Sequence, residues 1–325
     1  MKFRTEYTPR RASFTLSPEN PVVLLGSCFA ANMAEEMKKG LWDANNPLGT
    51  LYNPESIALA LETFLSDDTT PETHTRHLVQ DDKGLWHSFM LDSSVSSKNR
   101  AECLEKVLKA GIELHRKLSE ARALFVTFGT SIYYRHIESG LTVSNCHKLP
   151  ATCFYRRRLT VCEIKKRWVS LCRMLHEKYP ELEIVFTVSP VRHLKDGFAG
   201  NARSKAVLLL AVEEICETLP YCSYFPAYEI LNDDLRDYRF YASDLVHPSQ
   251  EGIEYIYDIF KQTYLEPAGL ALLKEGEKLL KQYNHRPLIA TPEEAEYYLK
   301  EAEHRIREFL KKHPGMNHAS PAHKK

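Results

Sequence analysis

The chain has 325 residues, 43% of them hydrophobic, with 43 Lys+Arg against 43 Asp+Glu. That is enough apolar content for one large or two modest cores. Balanced charge offers none of the net basic surface that nucleic acid or an anionic membrane selects, and no apolar run approaches the length of a bilayer span. The polar start, Met1-Lys2-Phe3-Arg4-Thr5-Glu6-Tyr7, lacks the apolar middle of a secretory signal. A cytoplasmic protein with no nucleic-acid or membrane partner is expected. The eight cysteines include no Cys-x-x-Cys pair, so reduced thiols acting as small apolar residues are expected, and no metal site.

Strand-like and helix-like patterns alternate over the first two-thirds. Residues 22–25 form a short apolar run between Pro21 and Gly26 and predict a buried strand. A helix over 29–39 follows, with Phe29, Met33 and Met37 on one face and Gly40 as its stop. Asn53-Pro54 opens a second helix carrying Ile57, Leu61 and Leu65 inward. Residues 66–98 are polar and predict an excursion, with a strand pair around Trp86. A helix over 99–120 feeds a strand over 123–128 that stops at Gly129-Thr130-Ser131. A helix over 161–178 feeds a strand over 183–188 that stops at Ser189-Pro190. A helix over 202–218 leads to a short strand over 222–225, and another helix begins after Ser249.

Helix followed by apolar strand, repeated, predicts an α/β protein with a parallel sheet covered on both faces. Such sheets bind ligands outside the carboxyl ends of their strands. The polar clusters at Gly26-Ser27-Cys28, Gly129-Thr130-Ser131 and Ser189-Pro190-Val191-Arg192-His193 all fall at those ends. Beyond Leu265 the composition shifts to Lys, Glu and Leu. Thr291-Pro292-Glu293-Glu294 starts a helix that His313-Pro314-Gly315 ends. The chain therefore divides into an α/β domain over 1–265, a helical appendage over 266–314 and a flexible tail over 315–325.

Asp244 stands three residues before His247, just ahead of Pro248. A nucleophile on a strand-to-helix turn, joined by a late carboxylate and imidazole, is one way an ester-cleaving site is assembled. Each part alone has a plainer reading: Ser27 as helix cap, Cys28 as core thiol, Asp244 as cap, His247 as surface residue. Arg156-Arg157-Arg158 could grip an anion, though short charge runs are usually solvated. Trp42 and Trp168 read as core, and Trp86 as core or as a sugar platform.

Gly26-Ser27-Cys28-Phe29-Ala30 resembles the signature of the GSCFA family. The resemblance extends through Asn145-Cys146-His147-Lys148, Ser189 to His193 and Asp244-Leu245-Val246-His247-Pro248, covering roughly residues 5 to 265. That family looks like a branch of the SGNH (GDSL) hydrolases. The resemblance implies a flavodoxin-like three-layer α/β/α fold, here with a C-terminal helical extension, and ester hydrolysis or acyl transfer without metal or organic cofactor.

Where the superfamily has Gly-Asp-Ser, this chain has Gly26, Ser27 and Cys28. Cys28 is thereby proposed as nucleophile, and a one-residue shift in the turn would present Ser27 instead. His247 matches the base and Asp244 its orienting acid. For the oxyanion hole, Gly49 in Asn46-Pro47-Leu48-Gly49-Thr50 matches the glycine block. The third block reads Gly129-Thr130-Ser131 without the superfamily's asparagine, so Asn145 or Ser131 would have to replace it. Gly129, Thr130, Arg192, His193 and His147 are the expected substrate contacts. A small-molecule or carbohydrate ester is the expected partner. A binding protein that has lost chemistry, or a thiol-dependent acyltransferase or amidase, are the rival readings.

Overall fold

The computed structural model describes residues 4–66, 70–285 and 291–317. In chain order the first half comprises β1 (Val22–Gly26), α1 (Cys28–Lys39), β2 (Ala44–Asn45), α2 (Pro54–Leu65), a short α3 (Pro71–Thr75), β3 (Leu78–Gln80), β4 (Trp86–Ser88), α4 (Arg100–Glu120) and β5 (Ala123–Phe128). The second half comprises β6 (Ile132–His136), β7 (Thr142–Val143), β8 (Phe154–Arg158), α5 (Val161–Lys178), β9 (Glu183–Val188), α6 (Gly197–Thr218), β10 (Cys222–Tyr224), a one-turn α7 (Ala227–Glu229), α8 (Gln250–Tyr264), α9 (Pro267–Asn284) and α10 (Pro292–Lys312).

The central sheet is parallel, with strand order β10-β9-β5-β1-β2. Its order reverses between β1 and β5, and the crevice above such a point is where open α/β sheets hold ligands. Alternation along the strands sends side chains to opposite faces. Val23, Leu25, Leu124, Val126 and Phe128 join the core made with α2, α4, α5 and α6. Val22, Leu24, Ala123 and Phe125 join the core made with α1 and α8. The result is an α/β/α sandwich whose sheet is buried on both faces.

The helices start where the sequence places caps. Ser27 caps α1, Asn53 caps α2 with Pro54 at the first position, and Asn99 caps α4. Reciprocal Thr160–Glu163 and Thr291–Glu294 capping boxes open α5 and α10. Helix α6 begins five residues earlier than the sequence pattern suggests. Its first turn, Gly197-Phe198-Ala199-Gly200, is half glycine and carries none of the helix's buried residues, so the apolar period is silent there, and the Asn201 side chain accepts the His193 N–H at 2.9 Å.

The excursion contains the expected strand pair, β3 with β4. A three-stranded antiparallel sheet, β7-β6-β8, carries no strong apolar alternation and was not foreseen. One face packs a small apolar cluster of Phe89, Val143 and Phe154 against Tyr134, and arginines lie over its aromatics: Arg157 is 5.1 Å from the Tyr133 ring and Arg156 5.5 Å from that of Tyr134. Arg156 also pairs with Asp196, and Arg157 with Glu163, so this run is no free anion clamp. Trp42 and Trp168 are fully buried, while Trp86 lies under Arg100.

Helices α9 and α10 form the C-terminal extension. The first crosses the end of α1 so closely that Gly276 rests on the Gly40 carbonyl. The expected tail starts differently: Met316 is buried with Leu41, Ile306 and Phe309, and the Asn317 N–H donates to the Leu41 carbonyl at 2.9 Å. The rest of that tail, 318–325, lies outside the described residues.

Two outcomes follow from this packing. At Gly26, φ is +122° and a β-carbon would run into the Thr127 carbonyl oxygen, whereas Gly84 (φ +79°) has only Gln80 Nε2 nearby, at 3.7 Å. Gly26→Ala is expected to lower stability by about 3 kcal/mol or more, and Gly84→Ala by about 1 kcal/mol, in urea unfolding. Burial, with Arg76 and His74, pushes His77 down to about 4. The unfolded chain takes up that proton from about pH 6.5 downward, so stability is lost as pH falls from there through 4. His77→Gln should flatten the fall in urea midpoint across this window; an unchanged slope would assign the acid sensitivity elsewhere.

Candidate functional site

The end of β1 places two adjacent side chains in different roles. Ser27 is fully buried, donates its N–H to the Thr127 carbonyl at 3.1 Å, and caps α1: its Oγ accepts the Phe29 N–H at 3.3 Å. Cys28 is the first helical residue and part-exposed. Among the described residues its N–H has no hydrogen-bond partner, as expected of an orphan donor at a helix start. Burial pushes the Cys28 thiol up; the N–H groups of Cys28 and Phe29 and the Lys205 ammonium pull it down, and Asp244 adds an upward push. Sulfur, lysine and carboxylate thus share one neighbourhood.

Asp244 and His247 are built as a single loop. Asp244 Oδ1 accepts the N–H groups of Val246 at 2.9 Å and His247 at 3.0 Å, and Oδ2 accepts the His247 Nδ1–H at 2.7 Å. These bonds hold the Asp244 carboxyl down at about 2. With Nδ1 as donor, Nε2 carries the free lone pair, and it has no hydrogen-bond partner among the described residues. Both side chains are open to solvent, at 49% and 44%. Leu245 between them takes a left-handed φ of 57°, strained for a side chain without a local hydrogen-bonding group.

Below this mouth lies a polar floor. Lys205 is 1% exposed and donates to the carbonyls of Gly129 and Ser189, both at 2.6 Å. His193 turns Nε2 toward Gly129: a β-carbon there would meet it at 3.1 Å, Ser27 Cβ at 3.3 Å and the Tyr52 carbonyl at 3.0 Å. That nitrogen is buried without a partner. Burial, with Lys205 and His247, holds His193 down at about 4, so it is neutral at pH 7. The Tyr52 ring meets His193 edge-on at 5.8 Å, and its hydroxyl is raised chiefly by burial and further by Cys28 and Asp92.

Tyr52 and Lys205 were not among the expected site residues. A signal for Lys205 existed. Residues 205, 208, 212 and 215 form one buried stripe along α6, and a lysine on an otherwise apolar stripe asks what holds its charge. Tyr52 has no such mark.

Gly129, His193 and the Ser27-Cys28 turn meet at the carboxyl ends of β1 and β5, and the charges of Asp244 and His247 reach Cys28 and His193 there. Other expected contacts are spent elsewhere. Ser131 donates both its N–H (2.7 Å) and its hydroxyl (3.1 Å) to Ser204 Oγ, and Thr130 shares that hydroxyl at 3.0 Å. Both are struts between β5 and α6. The Gly49 N–H donates to Asn46 at 3.3 Å, while Thr50 beside it donates to Asp92 at 2.7 Å. Asn145 Oδ1 is occupied by the His147 N–H at 2.8 Å. His147 is buried, stacked on His87 at 4.4 Å and bonded to the Ser88 carbonyl, so it supports the excursion. Arg192 lies 4.0 Å from the Tyr241 ring and donates its N–H to the Val246 carbonyl at 3.1 Å, which anchors the Asp244 loop.

Among the described residues, no group of three His, Cys, Asp or Glu side chains is set to hold a metal ion. No described helix is long and apolar enough to cross a membrane. A cavity of about 780 Å³ between α9 and α10, lined by Lys281, His285, Tyr297, Tyr298 and Arg305 among others, includes none of the clustered residues.

No curated protein matches this chain. Among solved structures, it is similar to an acetyl xylan esterase (Est2A) from the rumen bacterium Butyrivibrio proteoclasticus, at 11% identity and a TM-score of 0.37. The match covers 79% of this chain and 66% of that one, just under two thirds. A likeness at that level says nothing of shared chemistry. The family model is a different matter: it matches residues 21–260, from the first strand through the last helix of the sandwich, and includes both the Ser27-Cys28 turn and the Asp244–His247 loop. The chain belongs to the GSCFA family.

Proposed function

We propose that the protein is an ester hydrolase or acyltransferase of the SGNH type on a flavodoxin-like sheet, with Cys28 as nucleophile, His247 as base and Asp244 as the acid that orients it. The carrying observation is the 2.7 Å His247–Asp244 hydrogen bond on the rim that also holds Cys28 at a helix N-terminus. Strand order supports the sheet class, since β2-β1-β5-β9-β10 is the 2-1-3-4-5 arrangement. The division of labour at the turn favours Cys28 over Ser27: the serine hydroxyl is committed to capping, and the thiol is not.

In this reading the Cys28 proton passes to His247 Nε2 as sulfur attacks the acyl carbonyl. The developing oxyanion meets the free Cys28 N–H, a donor that costs no reorganisation. His247 then protonates the departing alkoxide, leaving a thioester. Water, or an acceptor hydroxyl, gives its proton to His247 as it attacks that thioester, and the proton returns to sulfur as the acid or new ester leaves. Asp244 stays ionised throughout and steadies the imidazolium. Acylated carbohydrates are the substrate class implied by the family resemblance.

A second reading has its own observation. The Ser131 N–H and hydroxyl are both given to Ser204, and the Gly49 N–H is turned to Asn46, which leaves the Cys28 N–H as the one clear backbone donor of the expected oxyanion hole. A binding protein that keeps the cleft without efficient turnover fits that shortage.

A panel of p-nitrophenyl esters separates the two. Turnover is expected in the wild type, at background in Cys28→Ala, and lowered on the order of 10³-fold or more in His247→Ala and Asp244→Asn. Ser27→Ala should keep turnover while losing about 1 kcal/mol of stability as a lost cap. Ligand binding without turnover in the wild type would establish the second reading, and loss of turnover confined to Ser27→Ala would move the nucleophile.

A further inference from the structure

Lys205 is the least expected side chain beneath the candidate nucleophile. It is 1% exposed, and its only hydrogen-bond partners among the described residues are the carbonyls of Gly129 and Ser189. No carboxylate pairs with it among those residues. A buried ammonium without a counter-ion is expensive: burial pushes Lys205 down to about 7, and Cys28 is the one neighbour that pulls it back up. Its two carbonyls close the carboxyl ends of β5 and β9, and Gly129 in turn packs on Ser27, next in sequence to Cys28. The ammonium is therefore fixed under the turn that carries the sulfur.

The other charged and titratable neighbours do not supply the missing negative charge. His193, beside Gly129, is neutral at pH 7. Tyr228 offers a ring face 5.9 Å from Lys205 Nζ, and its hydroxyl is pushed up, chiefly by burial. Tyr52 is likewise raised. Asp244 is committed to His247 and two N–H groups. Only the sulfur of Cys28 remains, and each of the pair favours the charged form of the other.

We propose that Lys205 is a positioning residue: its ammonium, clamped by the Gly129 and Ser189 carbonyls, is the buried counter-charge for a Cys28 thiolate. The proposal rests on reading Cys28 as the reactive group of the site. Lys205 is not the acceptor of the Cys28 proton. The S–H bond breaks toward His247 Nε2, the electron pair stays on sulfur, and the thiolate in turn holds the Lys205 ammonium charged against the burial that pulls it down.

Carbamidomethylation of Cys28 by iodoacetamide, followed on its own peptide by mass spectrometry from pH 5 to 10, tests this without any ester. Lys205→Met should move the reactivity inflection upward by at least one pH unit and slow alkylation at pH 7.5 about tenfold. Circular dichroism checks that the variant is folded. Superimposable profiles in the wild type and a folded Lys205→Met would overturn the proposal. Where Lys205→Met does not fold, the reciprocal measurement decides: the Lys205 13Cε resonance should titrate at lower pH in Cys28→Ala than in the wild type, and identical titrations would overturn it. A shifted profile in a protein without ester turnover removes the hydrolase reading and leaves the pair standing. Turnover with unshifted profiles does the reverse.

Discussion

The hydrogen bond from the Ser27 N–H to the Thr127 carbonyl joins the end of β1 to the end of β5, and most of the site's geometry descends from it. It forms because Gly26 has no side chain and can take a φ of +122° against Thr127. Any β-carbon would force the two strands apart at the place where the sheet order reverses. With the strands held close, the chain turns at once into α1, Ser27 becomes the cap, and Cys28 emerges at the first helical position. Gly129, the residue after β5, then lies against Ser27 closely enough for Lys205 and His193 to meet its backbone.

The charges around this junction are arranged in layers. The carboxylate of Asp244 is at the surface, where water and three hydrogen bonds keep it ionised. The neutral imidazole of His193 and the ammonium of Lys205 are beneath it, out of water, where electrostatic effects are larger. An anion formed between the layers would meet a cation from below and N–H groups from the side. Among the described residues, no carboxylate pairs with Lys205 in the lower layer.

Much of this was legible in the sequence. Strand-to-helix alternation gave the parallel sheet, and the polar clusters fell at its carboxyl ends because apolar runs stop where backbone leaves the core. Asp244 and His247 were legible because their spacing suits one loop. The failures share a cause: local patterns do not report how donors and acceptors are spent. Ser131 had the right chemistry for an oxyanion hole, but Ser204 on α6 claimed both of its donors. Arg192 looked like a substrate clamp and is instead laid on Tyr241. The antiparallel sheet over β6 to β8 escaped because its strands are short and polar, with arginine stems over two of its tyrosines and only a small apolar cluster on one face.

Leu245 gives the loop around Asp244 a mechanical character. Its left-handed turn lets one carboxylate grip two successive N–H groups and the imidazole of the same short segment. The carboxylate and the imidazole are consequently carried by one backbone cassette, with the imidazole aimed by its Nδ1 bond to Asp244. The gap between imidazole and sulfur is thus set by where the cassette is moored: at Arg192, through Val246, and at the Tyr241–Pro248 bridge ahead of α8. A small tilt of that mooring would carry both groups across the cleft together, with their mutual alignment intact.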